Sequence, residues 1–323
     1  MDFEAVRAQS AAVDLLSRAV QSDRVAHAYA FVGPSGVGRK LTALSFAQAL
    51  LCPERGCGEC RSCARITAGI HPDCRLIVPD GQNIKIEQVR ELERLAYLTP
   101  HEGPWKVFIL DEAERMTLPA ANAFLKTLEE PPARTVLVLI LARARALPAT
   151  ILSRCQLVRF SPLPHSDAVA VLMAHGVEEG EAGLLARVSE GRVGLALARD
   201  PKIFAERRNQ ALSLLALVAA KGAEPLLTRT EAVGRDRALV ETFIETYWLW
   251  YRDLLCVKAG GDSRLLIHAD REAELAQTAA ALTWEEILRA LGQCRAAWQA
   301  LQGNVSPRLT LEVTLARLAW KAA

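Results

Sequence analysis

Aromatic residues are scarce in this chain: Phe, Trp and Tyr together make up 6% of its 323 residues. With so few rings, no stretch of interleaved basic and aromatic residues marks a platform for stacking single-stranded bases. Net charge is nearly absent as well, since 39 Lys and Arg face 37 Asp and Glu. That balance excludes a polyanion-coating protein and an acidic tail; contact with nucleic acid would need a local patch. Long apolar runs are also missing. The longest strongly apolar run, "VLVLILA" from Val136 to Ala142, falls far short of the roughly 20 residues that span a bilayer. The N-terminal "MDFEAVRAQSAAVDLL" has early acids and no apolar core, unlike a secretory leader. No membrane association is expected, and a cytoplasmic location is.

Eight cysteines are present, and four crowd together at Cys52, Cys57, Cys60 and Cys63. The other four, Cys74, Cys155, Cys256 and Cys294, are scattered, as buried free thiols in a reducing compartment would be. The crowded set, "CPERGCGECRSC", has the spacing C-x4-C-x2-C-x2-C, with Gly56 and Gly58 available for turns. Four thiolates suit a closed, tetrahedral structural zinc site. Iron–sulfur ligation uses similar runs, and disulfides are a further alternative.

Short apolar strands alternate with helical periodicity through the first half of the chain. Strands are expected at 29–33, 75–79, 106–110, 136–141 and 157–160. Helices are expected at 3–23, 40–51, 84–98 and 118–130, the last stopped by Pro131–Pro132. Largely apolar strands separated by helices predict a parallel sheet covered on both faces. Strand signals cease after Phe160, and "SPLPHSD" (161–167) marks a boundary, with Ser166 or Asp167 as a helix cap. Short helices broken by glycine follow to about residue 200, and longer helices follow from 204.

Between the first strand and its helix lies "GPSGVGRK". A phosphate-binding loop reads G-x-x-x-x-G-K-[ST]; its backbone N–H groups cradle phosphate, its Lys reaches the terminal phosphates and its hydroxyl binds Mg²⁺. Gly33, Gly36 and Gly38 are kept, but Arg39 stands for the Lys and Lys40 for the hydroxyl residue. Lys40 offers only donors and cannot ligate a metal. After the third strand, Asp111 and Glu112 occupy the place where phosphate-loop hydrolases hold Mg²⁺ and orient water. With the metal's hydroxyl ligand gone, a vestigial site is expected and ATP is not expected to bind. Arg154, in "LPATILSRCQLVRF", is either a solvated surface charge or an arginine supplied in trans to a neighbour's phosphates.

Taken in order, "HAYAFVGPSGVGR", the four-cysteine insert, "GIHPD", "VFILDEAERM", "NAFLKTLEEPP" and "LPATILSRC" resemble the AAA+ clamp-loader subunits of bacterial DNA polymerase III. The resemblance spans residues 1–162 and returns at "NVSPRLTLEVTLARLA" (304–319). It implies an α/β AAA+ domain with a zinc insert at 1–162, a small helical lid at 163–203 and an all-helical collar for oligomerisation at 204–323. The gamma/tau type of subunit keeps an intact phosphate loop, whereas the delta-prime type has a degraded one and keeps the zinc site and the SRC motif. This chain resembles the second. Arg143 stands where the ATPases carry a Thr sensor, and Gly194, with Arg192 close by, where they carry a sensor Arg.

The resemblance implies a non-hydrolysing stator in a five-membered ring, helping to load the sliding clamp onto primed DNA. Its partners would be gamma/tau and delta subunits, the clamp and, through the complex, primer-template DNA. Arg154 would be the finger serving a neighbouring ATPase, set in place by Ser153 and Cys155. An active gamma/tau-type ATPase with an atypical loop is the alternative.

Overall fold

The structure is a computed structural model that describes residue 3, residues 6–303 and residues 305–319. Asn304, which opens the C-terminal motif, and residues 320–323 of the expected collar lie outside the described residues. The chain divides into two compact units, one running to Leu172 and taking back Glu190–Ala196, the other holding Met173–Ser189 and the chain from Leu197 onward.

The first unit is built on five parallel strands: β1 (Ala28–Val32), β2 (Cys74–Ile77), β3 (Lys106–Leu110), β4 (Thr135–Leu141) and β5 (Gln156–Arg159). Their spatial order is β2-β3-β4-β1-β5, and every pairing is parallel. Helices α1 (Ser10–Gln21), α2 (Arg39–Leu51), α3 (Arg61–Thr67), α4 (Ile86–Ala96), α5 (Leu118–Glu129) and α6 (Ala149–Leu152) connect or flank them. α7 (His165–Ala174), α8 (Glu179–Val188) and α9 (Val193–Leu197) come next.

Alternation along the strands explains the two covered faces. Tyr29, Phe31, Val136, Val138 and Ile140 share a core with Leu16 of α1 and Phe46 and Leu50 of α2. Their neighbours Ala28, Ala30, Leu137, Leu139 and Leu141 share another with Val89 and Leu92 of α4 and Phe124 of α5. Small Ala residues in β1 leave room on the second face for the larger Phe and Leu side chains.

All five strands lie within a residue or two of their expected places. α1 is shorter than the apolar spacing implied, because Ala8 adopts a left-handed φ of 55° just ahead of it. Gln9 precedes the helix instead, and its buried amide donates to the carbonyls of Val37 and Ser161 at 3.3 and 2.7 Å. α7 starts at His165, ahead of both residues expected to cap it.

Among the described residues, the second unit holds α8 and six further α-helices: α10 (Pro201–Lys221), α11 (Ala223–Val233), α12 (Arg237–Lys258), α13 (Glu272–Ala281), α14 (Trp284–Gln302) and α15 (Pro307–Ala319). Asp200, Asp236 and Thr283 cap the N-termini of α10, α12 and α14 through their side-chain oxygens. The core gathers Phe243, Tyr247 and Leu254 of α12 with Leu275, Ile287, Cys294, Leu301 and Leu311. Inside it, the buried Asp253 carboxylate accepts from the backbone N–H groups of Ile267 and His268 and from Arg252, and pairs with His268 Nδ1 at 2.9 Å.

Candidate functional site

The glycine turn after β1 folds as its sequence suggests, with Gly36 and Gly38 at φ of 83° and 92° and α2 beginning at Arg39. What surrounds it differs from an open phosphate cradle. Lys40 Nζ lies 3.3 Å from Asp111 Oδ2. The cation at the position expected for one metal ligand is thus paired with the acid expected to be the other. Glu112 sits in the left-handed region at φ 51°, and its carboxylate accepts from Arg115 at 2.8 Å. Burial holds the Arg39 guanidinium below its ordinary pKa, against the pull of Glu114, Asp111 and Glu112.

The turn is also covered by backbone. Gly194 donates its N–H to the Gly36 carbonyl at 2.8 Å. A Cβ on Gly194 would stand 3.1 Å from Gly36 Cα, and one on Gly36 would stand 2.7 Å from Leu195 Cγ. Glycine at 194 is therefore what lets this segment lie on the loop, and a sensor arginine there would have to displace it. Arg143, just after β4, is exposed and opens a 3-10 turn.

The four clustered cysteines come together. Cys52 ends α2, Cys60 caps α3 by accepting from the Cys63 N–H, and Cys63 is buried within α3. Their four Sγ atoms lie within 4.8 Å of one another. The Cys52–Cys57 and Cys52–Cys60 separations are 3.7 and 3.6 Å. A tetrahedral zinc with bonds of about 2.3 Å needs sulfurs about 3.8 Å apart, so the donor set fits, and the cluster could hold a metal ion. All four are free thiols rather than disulfides. Burial pushes the Cys52 thiol up, but N–H groups of Cys57 and Gly56 and the Cys60 side chain bring it down to about 6. Burial and the neighbouring thiols push Cys63 up to about 12. A bound metal would take the place of these protons.

The insert is fastened to the sheet domain. Arg65 of α3 donates from Nη1 to both carboxylate oxygens of Glu102 at 2.8 and 2.7 Å, and Ser62 Oγ meets His71 Nε2 at 3.0 Å. His71 Nδ1 accepts the Asp73 N–H, so Nε2 carries the proton and donates to Ser62. That tautomer is the reverse of a base activating a serine, and the trio is a structural clasp. Asp73 accepts backbone N–H groups from His101, Glu102 and Gly103. Burial raises its carboxyl, but these bonds outweigh it and hold its pKa below the ordinary value.

Arg154 lies at the other end of the sheet from the glycine turn. The register pairs Tyr29 with Gln156, so Arg154, two residues earlier, stands level with the start of β1. At about 3.3 Å per residue, the turn after β1 is roughly 20 Å away. The Arg154 side chain is 37% exposed. Its Nη1 donates to the Thr150 carbonyl and its Nη2 to Glu129 Oε1, both at 2.9 Å. Ser153 Oγ also donates to Thr150, and the Cys155 thiol to the Ile151 carbonyl; burial pushes that thiol up to about 12.

The family described as DNA polymerase III, delta subunit, matches residues 8–164. DNA polymerase III subunit delta-prime of Bacillus subtilis is 32% identical over 311 residues, covering 94% of this chain and 94% of its own length. The chain belongs to the DNA polymerase III delta-prime family. The Pseudomonas aeruginosa delta-prime subunit is 37% identical over 188 residues, 56% of this chain and 55% of its own. The tau subunit of Bacillus subtilis, at 32% over 207 residues, covers 61% of this chain and 36% of its own. The chain is thus a component of the DNA polymerase III clamp loader, built on the parallel β2-β3-β4-β1-β5 sheet.

Three partners in this chain escaped the sequence: Asp111 for Lys40, Leu195 for Gly36 and Glu129 for Arg154. Only the first had a signal, a cation standing where a metal ligand belongs, with an acid expected across from it.

Proposed function

We propose that this chain is a non-hydrolysing stator of the DNA polymerase III clamp loader, supplying Arg154 in trans to a neighbouring ATPase subunit. The polarity of the sheet carries this reading. The chain's own glycine turn is at the C-terminal edge of the strands and Arg154 is at the N-terminal edge, roughly 20 Å away, which supports a role at another chain's site rather than at its own. At the C-terminal edge, the Lys40–Asp111 pair and the backbone covering Gly36 favour a loop that neither binds nor cleaves ATP.

The four cysteines would hold a structural zinc ion, which closes the insert and leaves no open coordination position for chemistry. The division into an AAA+ domain at 1–162, a lid at 163–203 and a collar at 204–323 is part of the same reading. In the collar region, α14 buries Ile287, Cys294 and Leu301 yet leaves Trp284, Leu288 and Trp298 exposed, as a helix with a second packing face would. Gamma/tau and delta subunits are the partners, with the clamp and primed DNA reached through the complex in the cytoplasm. Among the described residues, no helix is long and apolar enough to cross a membrane.

ATP binding and turnover by the isolated chain, measured beside its mixture with a gamma/tau subunit, test this reading. The isolated chain is expected to be silent and to stimulate its partner only while Arg154 is present. Turnover by the chain alone, abolished by Glu112→Gln, would establish it instead as a gamma/tau-type ATPase.

A further inference from the structure

We propose that Glu129 is the positioning residue for Arg154, holding its guanidinium at the angle a neighbour's phosphate requires. The inference rests on the finger reading above and deepens it. Arg154 is the second residue after the short α6, which spans only Ala149–Leu152, and its side chain is partly solvated. A long, exposed side chain on such a turn loses much of its effect through rotamer freedom unless something fixes it.

Two partners fix it from different directions. The Thr150 carbonyl belongs to its own turn, four residues earlier. Glu129 comes from the last residue of α5, 25 positions away. Pro131 and Pro132 follow it, so α5 stops there and the carboxylate is delivered at the helix end. Thr150 uses one Nη1 hydrogen and Glu129 one Nη2 hydrogen, which leaves Nε–H and one hydrogen on each Nη for an incoming oxygen. The planar fork is then oriented before the phosphate arrives, the condition under which an arginine stabilises charge that develops only in the transition state. Glu129 itself is 52% exposed and its link to Arg154 is a surface pair, so its stabilising effect on the fold is small. Its effect is on aim.

The test uses the reconstituted clamp-loader complex with Glu129→Ala, Glu129→Gln and Arg154→Ala in this chain. Assembly is checked by size-exclusion chromatography, and kcat and KM for ATP are read in the presence of clamp and primed DNA. Glu129→Ala is expected to lower kcat by about tenfold at the served site, with KM unchanged, as loss of alignment does. Glu129→Gln keeps an oxygen acceptor at the same place and is expected to stay within about twofold of the unaltered complex. A Glu129→Ala complex with native kcat, beside an Arg154→Ala complex that is slow, would overturn the positioning role and leave the finger standing. Faster turnover in Glu129→Ala would also overturn it, because Glu129 would then be withholding the arginine. A native rate in Arg154→Ala would remove the finger, and this proposal with it.

Discussion

The C-terminal edge of the sheet carries Lys40 against Asp111, Glu112 turned to Arg115, and Gly194 and Leu195 laid on the glycine turn. The N-terminal edge carries Arg154, partly exposed, with its guanidinium held by two acceptors and three N–H groups unspent. At the first edge Lys40 and Glu112 are paired within the chain, although Arg39 Nη1 is buried without a partner; at the second, the proposed reading has a charge held ready for something outside. In the proposed reading, a nucleotide site loses its chemistry while the same sheet keeps, about 20 Å away, a surface that serves another molecule. The two edges share strands, so on that reading whatever holds the arginine in place also keeps the fold around the glycine turn.

The contrast is broken most sharply by Arg154→Ala. Turnover at the served site of the assembled complex is expected to fall by about 10³-fold, at the lower end of what such an arginine supplies, with the variant's melting temperature unchanged. Steady-state ATPase beside a thermal melt reads both quantities.

Next in size is the metal. One zinc equivalent is expected to copurify, and Cys52→Ser with Cys63→Ser should abolish it and loosen the insert. Elemental analysis of anaerobically prepared protein, with hydrogen exchange across residues 52–67, checks this.

A stability effect of about 3 kcal/mol is expected for Asp73→Ala, which strands three backbone N–H groups. The sign with pH follows from its depressed pKa. The stability Asp73 contributes is present above the ordinary value of 3.8 and is lost as pH falls through the lower folded value. Melting temperatures from pH 7 downward should therefore converge for the variant and the unaltered protein in strong acid.

The smallest effects are expected at the C-terminal edge. Lys40→Ala should change stability by less than about 1 kcal/mol, as exposed pairs do. Arg39→Lys with Lys40→Thr, which restores the loop's sequence pattern, should still yield no ATP turnover by the isolated chain, because Leu195 and Gly194 remain on Gly36. Turnover in that variant would show that sequence, not coverage, silences the edge.

Much of the fold was legible because apolar strands bounded by glycine, proline and charge leave a local signal. β3 sits at Lys106–Leu110 as its residues predict, and the strand–turn–helix around Gly33–Gly38 follows from the same pattern. α3 was not anticipated inside the cysteine run: Arg61, Ser62 and Arg65 look like loop, and their helix is stabilised by Cys60 capping it and by Arg65 reaching Glu102. The closing of the loop was hidden for a similar reason. Gly36 and Gly194 are 158 positions apart, and no periodicity links them. Glu129 reads as one more acid at a helix end until the turn bearing Arg154 is brought beside it.

Parallel strands give the molecule a direction, and direction has a consequence for assembly. A subunit that donates at one face and receives at the other can be repeated head to tail without end, or until rotation closes the circle. In the proposed arrangement this chain donates at one face and has nothing to receive at the other. It breaks the equivalence of the members around it, so a row of otherwise interchangeable ATPases acquires a first and a last.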